Sequence, residues 1–109
     1  MIASVMDKRY EEALLFDFYG ELLTDKQKAV FEEAYVYDCS LSEIAEEHGI
    51  SRQGVHDMLK RSQKTLTDYE TKLGLVRRFL AIRAKVEKIR QENVSKEIDG
   101  LCAQILEEL

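Results

Sequence analysis

Leu41-Ser-Glu-Ile-Ala45-Glu-Glu-His48-Gly49-Ile-Ser51-Arg-Gln-Gly-Val55-His-Asp-Met58 is the stretch from which the fold can be read. Ser40 followed three residues later by Glu43 is a capping box, and it opens a short helix from Leu41 to about Glu47. Leu41, Ile44 and Ala45 fall on one face of that helix. Gly49 supplies the left-handed residue after the helix end. Ser51 then caps a second helix that starts at Arg52. Ala45 is small where two helices would cross, and Ile44, Ile50, Val55 and Met58 are the apolar residues able to hold the crossing. These features together predict two helices meeting at a tight turn, a helix-turn-helix.

Working outward, the chain is helical in both directions. It has 109 residues, no proline and only five glycines. Asp7 to Tyr19 reads as a first helix ending at Gly20, with Phe16, Phe18 and Tyr19 as core candidates. Thr24 with Gln27 is another capping box, opening a helix from Asp25 to about Tyr35. Its buried stripe is Ala29, Val30, Phe31, Ala34 and Tyr35. Tyr37-Asp38-Cys39 breaks the pattern before Ser40. Beyond the motif, Val55, Met58, Leu59, Leu66, Tyr69 and Leu73 continue one helix to Gly74. From there Leu75, Phe79, Ile82, Val86 and Ile89 form a narrow heptad-like seam, spaced 4, 3, 4 and 3. After Asn93 and Ser95 the apolar spacing resumes at Ile98, Leu101, Ile105 and Leu109.

Charge is unevenly placed along the chain. The formal net charge is -5. Residues 1–50 carry 4 basic and 12 acidic side chains, residues 51–90 carry 11 and 4, and residues 91–109 carry 1 and 5. A basic middle between acidic ends predicts a face for phosphate on a body that discourages non-specific binding. In a helix-turn-helix the second helix lies in a major groove. Its outward positions here are Arg52, Gln53, His56, Asp57, Lys60 and Arg61, with Lys64 one turn further. Arg52 and Gln53 suit guanine and adenine edges, while Lys60, Arg61 and Lys64 suit phosphates. Asp57 puts a negative charge on that face.

Other functions find little support in the residues. His48 and His56 belong to no metal-spaced cluster with cysteine or with each other, and neither a Gly-rich phosphate loop nor a nucleophile motif is present. No enzyme activity, catalytic residue, metal or cofactor is expected. No apolar run approaches the ~20 residues of a membrane span, and Met1–Met6 lacks the basic start of a signal peptide. Cys39 and Cys102 stand alone and far apart, which suits a reducing compartment. The expected location is the cytoplasm.

The motif also carries a family resemblance. Ser40 to Val55 resembles the helix-turn-helix of sigma factor region 4. The wider pattern is similar to the small YlxM-type helix-turn-helix family of Gram-positive bacteria (UPF0122-like). It comprises Asp17-Phe-Tyr-Gly-Glu-Leu-Leu-Thr-Asp-Lys-Gln27, Ser40 to Val55, Lys60-Arg61 and Asp68-Tyr69-Glu70-x-Lys72-Leu73. It covers roughly residues 7–80. His48 stands where many members have an aromatic or other large residue, and His56 where a tyrosine is expected.

The resemblance implies an all-α, sigma-region-4-like helix-turn-helix domain over residues 1–74, with its motif at 41–60. A helical extension over 75–109 would follow. It implies a gene neighbourhood beside the signal recognition particle protein and its receptor, and a regulatory role in that pathway. The expected partner is duplex DNA, bound through Arg52, Gln53, His56, Lys60, Arg61 and Lys64. A homodimer is expected through Leu75, Phe79, Ile82, Val86 and Ile89. The alternative is an accessory protein that touches the particle's RNA or its GTPase and never reads DNA. Arg77, Arg78, Arg83, Lys85, Lys88 and Arg90 would serve that contact.

Overall fold

A computed structural model describes residues 8–109, which form six α-helices and no strand. They are α1 (Lys8–Tyr19), α2 (Asp25–Tyr35), α3 (Leu41–His48), α4 (Arg52–Leu73), α5 (Leu75–Glu92) and α6 (Lys96–Glu108). Met1–Met6 and the expected first-helix start at Asp7 lie outside the described residues. The chain divides into two compact units, one running to Leu73 and the other comprising Gly74–Leu109.

Local chemistry places the helix starts of the first unit. Thr24 Oγ1 accepts from the Gln27 amide at 3.2 Å, and Gln27 Oε1 accepts from the Thr24 amide at 3.1 Å. Ser40 and Glu43 make the same reciprocal pair at 3.1 and 2.8 Å. Each box satisfies two amides that would otherwise lack partners at a helix N-terminus. α1 ends differently from the expected glycine stop, because Gly20 begins a 3-10 turn, Gly20–Leu22. A Cβ on Gly20 would stand 3.0 Å from the Phe16 ring, so this glycine allows close approach instead of a left-handed stop. α2 stops before Asp38, whose φ of +58° is a conformation aspartate tolerates.

α4 is the spine of this unit, and α1, α2 and α3 all pack against it. The core it shares is aromatic at one end and aliphatic at the other. Phe16 stacks on Phe31 with centroids 5.3 Å apart, and Phe31 meets Tyr35 at 4.5 Å. Tyr19 is fully buried, stacks on Tyr69 at 6.0 Å and donates its hydroxyl to Glu70 Oε1 at 2.6 Å. Val30, Ile44, Val55 and Leu66 are fully buried. Removing such side chains typically costs ~2–5 kcal/mol for Ile or Leu to Ala. Along α4 the expected apolar stripe holds at Val55, Leu59 and Leu66, whereas Leu73 is exposed. Ser62 joins the stripe fully buried, its Oγ without a hydrogen-bond partner. A serine fits there because its small side chain fills the space beside Val55, Leu59 and Leu66 on the face that the other helices cover.

In the second unit α5 packs against α6. Ser95 Oγ caps α6 by accepting from the Ile98 amide at 3.3 Å. Arg90 clamps the two helices, with Nε 2.8 Å and Nη2 3.3 Å from the Asp99 oxygens. Val76, Val86 and Cys102 are buried here. This corrects the expected seam. Val86 is buried within the chain and Phe79 is half-buried, while Leu75, Ile82 and Ile89 remain exposed. The face that packs includes Val76, Phe79, Leu80, Arg83 and Val86, rotated from the heptad reading.

Two carboxyls report on these contacts. Glu43 lies below its ordinary value of 4.5 because the Ser40 backbone amide, then the Ser40 hydroxyl, hydrogen-bonds to it. Asp99 lies below its ordinary 3.8 because of the hydrogen bond from Arg90. A carboxyl held low in the folded state adds stability above its ordinary value and loses it as the pH falls through the lower folded one. Glu43→Gln keeps the capping box, as Gln27 does, and removes one titration. Urea melts should find this variant less stable than wild type at neutral pH, with the difference closing as the pH falls from the ordinary carboxyl value through the lower folded one. A difference that stays constant with pH would contradict the assignment.

Candidate nucleic-acid interface

The turn between α3 and α4 is built by three residues. Gly49 takes φ +66° and ψ +34°, and its amide and that of Ile50 both return to the Ala45 carbonyl, Ile50 at 3.1 Å. The Ile50 bond is the six-residue closure of a Schellman ending. Ser51 Oγ then accepts from the Gly54 amide at 2.9 Å and caps α4. Glycine at the third helical position precludes a capping box here, so one hydroxyl carries this helix start. Ala45 and Ile44 from α3 and Val55 from α4 are buried, and Ile50 and Met58 are half-buried. The small core expected at the helix crossing is therefore present, closed at its rim by the last two.

All six sequence-predicted contact residues, Arg52, Gln53, His56, Lys60, Arg61 and Lys64, are exposed on α4. Arg52, Gln53 and His56 come together with Leu41 of α3 around an open depression of about 300 Å³. Lys60, Arg61 and Lys64 follow further along the helix. The depression lies beside the N-terminus of α4, the positive end of the helix dipole, which favours an anion.

Side-chain pairs modify the face. Gln53 Nε2 donates to Asp57 Oδ1 at 2.9 Å, and His56 Nδ1 lies 3.7 Å from the same oxygen. Lys64 Nζ pairs with Asp68 at 3.1 Å. Both hydrogen-bonded pairs are i,i+4 neighbours, a spacing that sequence alone could have flagged. They are exposed, so each is worth at most a fraction of a kcal/mol and yields readily to a ligand. Leu41 was the residue missed. Its spacing places it with Ile44 and Ala45 on the packed face, yet it is half-buried at the lip of the depression. His48 is 18% exposed and sits 3.1 Å from Glu33 Oε1 of α2.

The family follows from comparison with known proteins. A family model described as "Putative helix-turn-helix protein, YlxM / p13 like" (UPF0122) matches residues 6–105. The chain belongs to this UPF0122 family. It is 50% identical over 99 residues to a UPF0122 protein of Thermoanaerobacter sp., covering 88% of this chain and 85% of that one. A UPF0122 protein of Caldanaerobacter subterraneus is 55% identical over 78 residues, 72% of this chain and 67% of the relative. One from Listeria innocua is 39% identical over 106 residues, 96% of each. UPF0122 membership thus spans both compact units, well past the residue range over which the resemblance was legible. No helix among the described residues is long and apolar enough to cross a membrane.

Gly49 gives a direct check on the turn. A Cβ placed there would meet no atom within 4 Å, so only backbone strain opposes a side chain. Gly49→Ala should lose about 1 kcal/mol or somewhat more, and Gly49→Asn less, since asparagine tolerates the left-handed region. Urea midpoints of the three proteins measure this. Equal stability of Gly49→Ala and wild type would mean that the turn is not held in this conformation.

Proposed function

We propose that this UPF0122 protein is a nucleic-acid-binding regulator that sets the N-terminal half of α4 in the major groove of duplex DNA. One observation carries the reading. Six polar and mostly basic side chains stand exposed on a helix whose start is capped and whose angle to α3 is fixed by a buried crossing. Arg52 and Gln53 suit base edges, Leu41 suits a thymine methyl, and Lys60, Arg61 and Lys64 suit phosphates. His56 lies between the two groups. The reading is of a binding protein acting in the cytoplasm, not of an enzyme.

The partner copy in this reading is a second identical chain. α5 exposes Leu75, Ile82 and Ile89, spaced by heptads, and α6 exposes Ile98, Leu101 and Ile105. Basic Arg77, Arg78, Lys85 and Lys88 are exposed on α5, and acidic Glu97, Glu107 and Glu108 on α6. Two hairpins can therefore bury apolar stripes and pair opposite charges. A homodimer also matches the two-fold half-sites usual for helix-turn-helix proteins.

A second reading draws on that same exposed basic run of α5, which lies off the groove-reading helix. It would let the protein touch the RNA or the GTPase of the signal recognition particle, the pathway that the family resemblance implies.

Anisotropy titrations with duplex DNA at rising salt test the first reading. Affinity should fall with salt, log K against log salt losing about 0.9 for each phosphate contacted. Lys60→Ala should reduce that slope by about one, while Arg52→Ala should cost ~1–3 kcal/mol and relax base preference. Salt-independent binding, or none, would rule the reading out. Binding of the particle RNA that survives both substitutions but is lost in Arg78→Ala/Lys88→Ala would favour the second. For the dimer, light scattering should give twice the chain mass, and Ile82→Glu should return it to the single-chain mass. A wild-type protein that is monomeric at high micromolar concentration would dismiss the two-fold arrangement.

A further inference from the structure

A cluster of donor atoms lies away from the groove-reading face, where the C-terminus of α3 meets α2. His48 Nε2 stands 3.1 and 3.2 Å from the two carboxylate oxygens of Glu33. Glu47 joins them, with one donor atom from each of the three residues lying within 4.8 Å of the others. Glu33 and His48 are only 20% and 18% exposed, whereas Glu47 is open to solvent. One donor comes from α2 and two from the last turn of α3, so the set straddles two helices.

We propose that Glu33, Glu47 and His48 form a divalent-cation site of the zinc type that ties α2 to the end of α3. Three features support it beyond the gathering of acids. The first is the donor chemistry: an imidazole nitrogen and carboxylate oxygens are both donor types that zinc takes, and the imidazole disfavours magnesium. The second is spacing. Tetrahedral bonds of about 2.0–2.2 Å put ligand atoms roughly 3.3–3.5 Å apart, close to the His48–Glu33 separation already present. Only the exposed Glu47 carboxylate has to move in. The third is potential. The helix C-terminus is the negative end of the α3 dipole. A bound cation offsets that concentration of negative charge. It also replaces the His48–Glu33 hydrogen bond with ligand bonds, fixing α2 against the first helix of the helix-turn-helix. None of the three residues lies on α4, so the site stands or falls apart from groove reading.

Zinc added to the chelator-stripped, full-length protein tests this by calorimetry and thermal melting. One zinc per chain should bind, and the melting midpoint should rise by about 5 °C or more once zinc exceeds its Kd a hundredfold. EDTA should reverse the rise, and magnesium at the same concentration should not produce it. Glu47→Gln, a substitution at an exposed side chain that leaves the fold intact, should weaken zinc at least tenfold, as should His48→Gln. The double variant Cys39→Ser/Cys102→Ser should bind as wild type does. Absence of zinc binding, an equal response to magnesium, undiminished binding in Glu47→Gln, or loss of binding in the cysteine variant would each overturn the site.

Discussion

The close crossing of α3 on α4 is permitted by a single methyl group at Ala45 and closed by a left-handed residue at Gly49. A larger residue at 45 would push the two axes apart, since interiors are packed too densely to absorb extra methylenes without strain. Three residues, Gly49 to Ser51, connect the helices, and the Schellman closure onto Ala45 leaves them little freedom. The orientation of the first turn of α4 is therefore set locally. That turn belongs to an unbroken 22-residue helix, which α1 also grips through Tyr19, on Tyr69 and Glu70, and α2 through Tyr35, on Gln63. The aromatic core and the elbow consequently act on one rigid rod. Exposed side chains from Arg52 to Lys64 inherit their positions from both.

What could be read from the residues alone follows the range of the interactions. Capping at Thr24, Ser40 and Ser51 was legible because a cap is chemistry between a residue and its third neighbour. The elbow was legible because small and permissive residues stand at a short fixed spacing. The exposed face of α4 followed from helical period once the buried face was known. The packed side of α5 was not legible. Leu75, Val76, Phe79, Leu80, Ile82, Val86 and Ile89 put apolar groups around more than half of that helix, so a heptad and its neighbouring stripe compete. Only the partner decides, and α6, with its Arg90–Asp99 clamp, favours the side that carries Val86. Ser62 and His48 escaped for the same reason. Their meaning depends on what arrives from other helices, Glu33 among them, fifteen positions upstream of His48.

The charge pattern makes an acidic chain compatible with the anionic partner proposed above. At physiological salt the Debye length is about 8 Å, so exposed charges further away than that are largely screened. A phosphate beside Lys60 or Arg61 responds mainly to its immediate surroundings, not to the net charge of -5. Acidic residues of α1 to α3 would still matter at contact in the proposed complex, because a duplex approaching with the wrong face would meet like charge. In the proposed groove complex, attraction within the first unit is thereby concentrated on the exposed face of α4, which favours selectivity over general adhesion.

Asp57 fits this logic better than its sign first suggests. Its carboxylate holds the Gln53 amide and stands near His56, all three one turn into α4. In the proposed groove complex an unpaired carboxylate would repel phosphate, and an unpaired amide would waste a donor. Paired, they present a preorganised acceptor and donor side by side. An acidic side chain in the major groove accepts from the cytosine amino group, and a glutamine amide matches adenine. Because the pair is exposed and weak, giving it up for base contacts costs little, whereas a site lacking those contacts leaves the carboxylate facing the duplex uncompensated. The same aspartate that lowers general affinity for DNA would thus sharpen the choice among sequences.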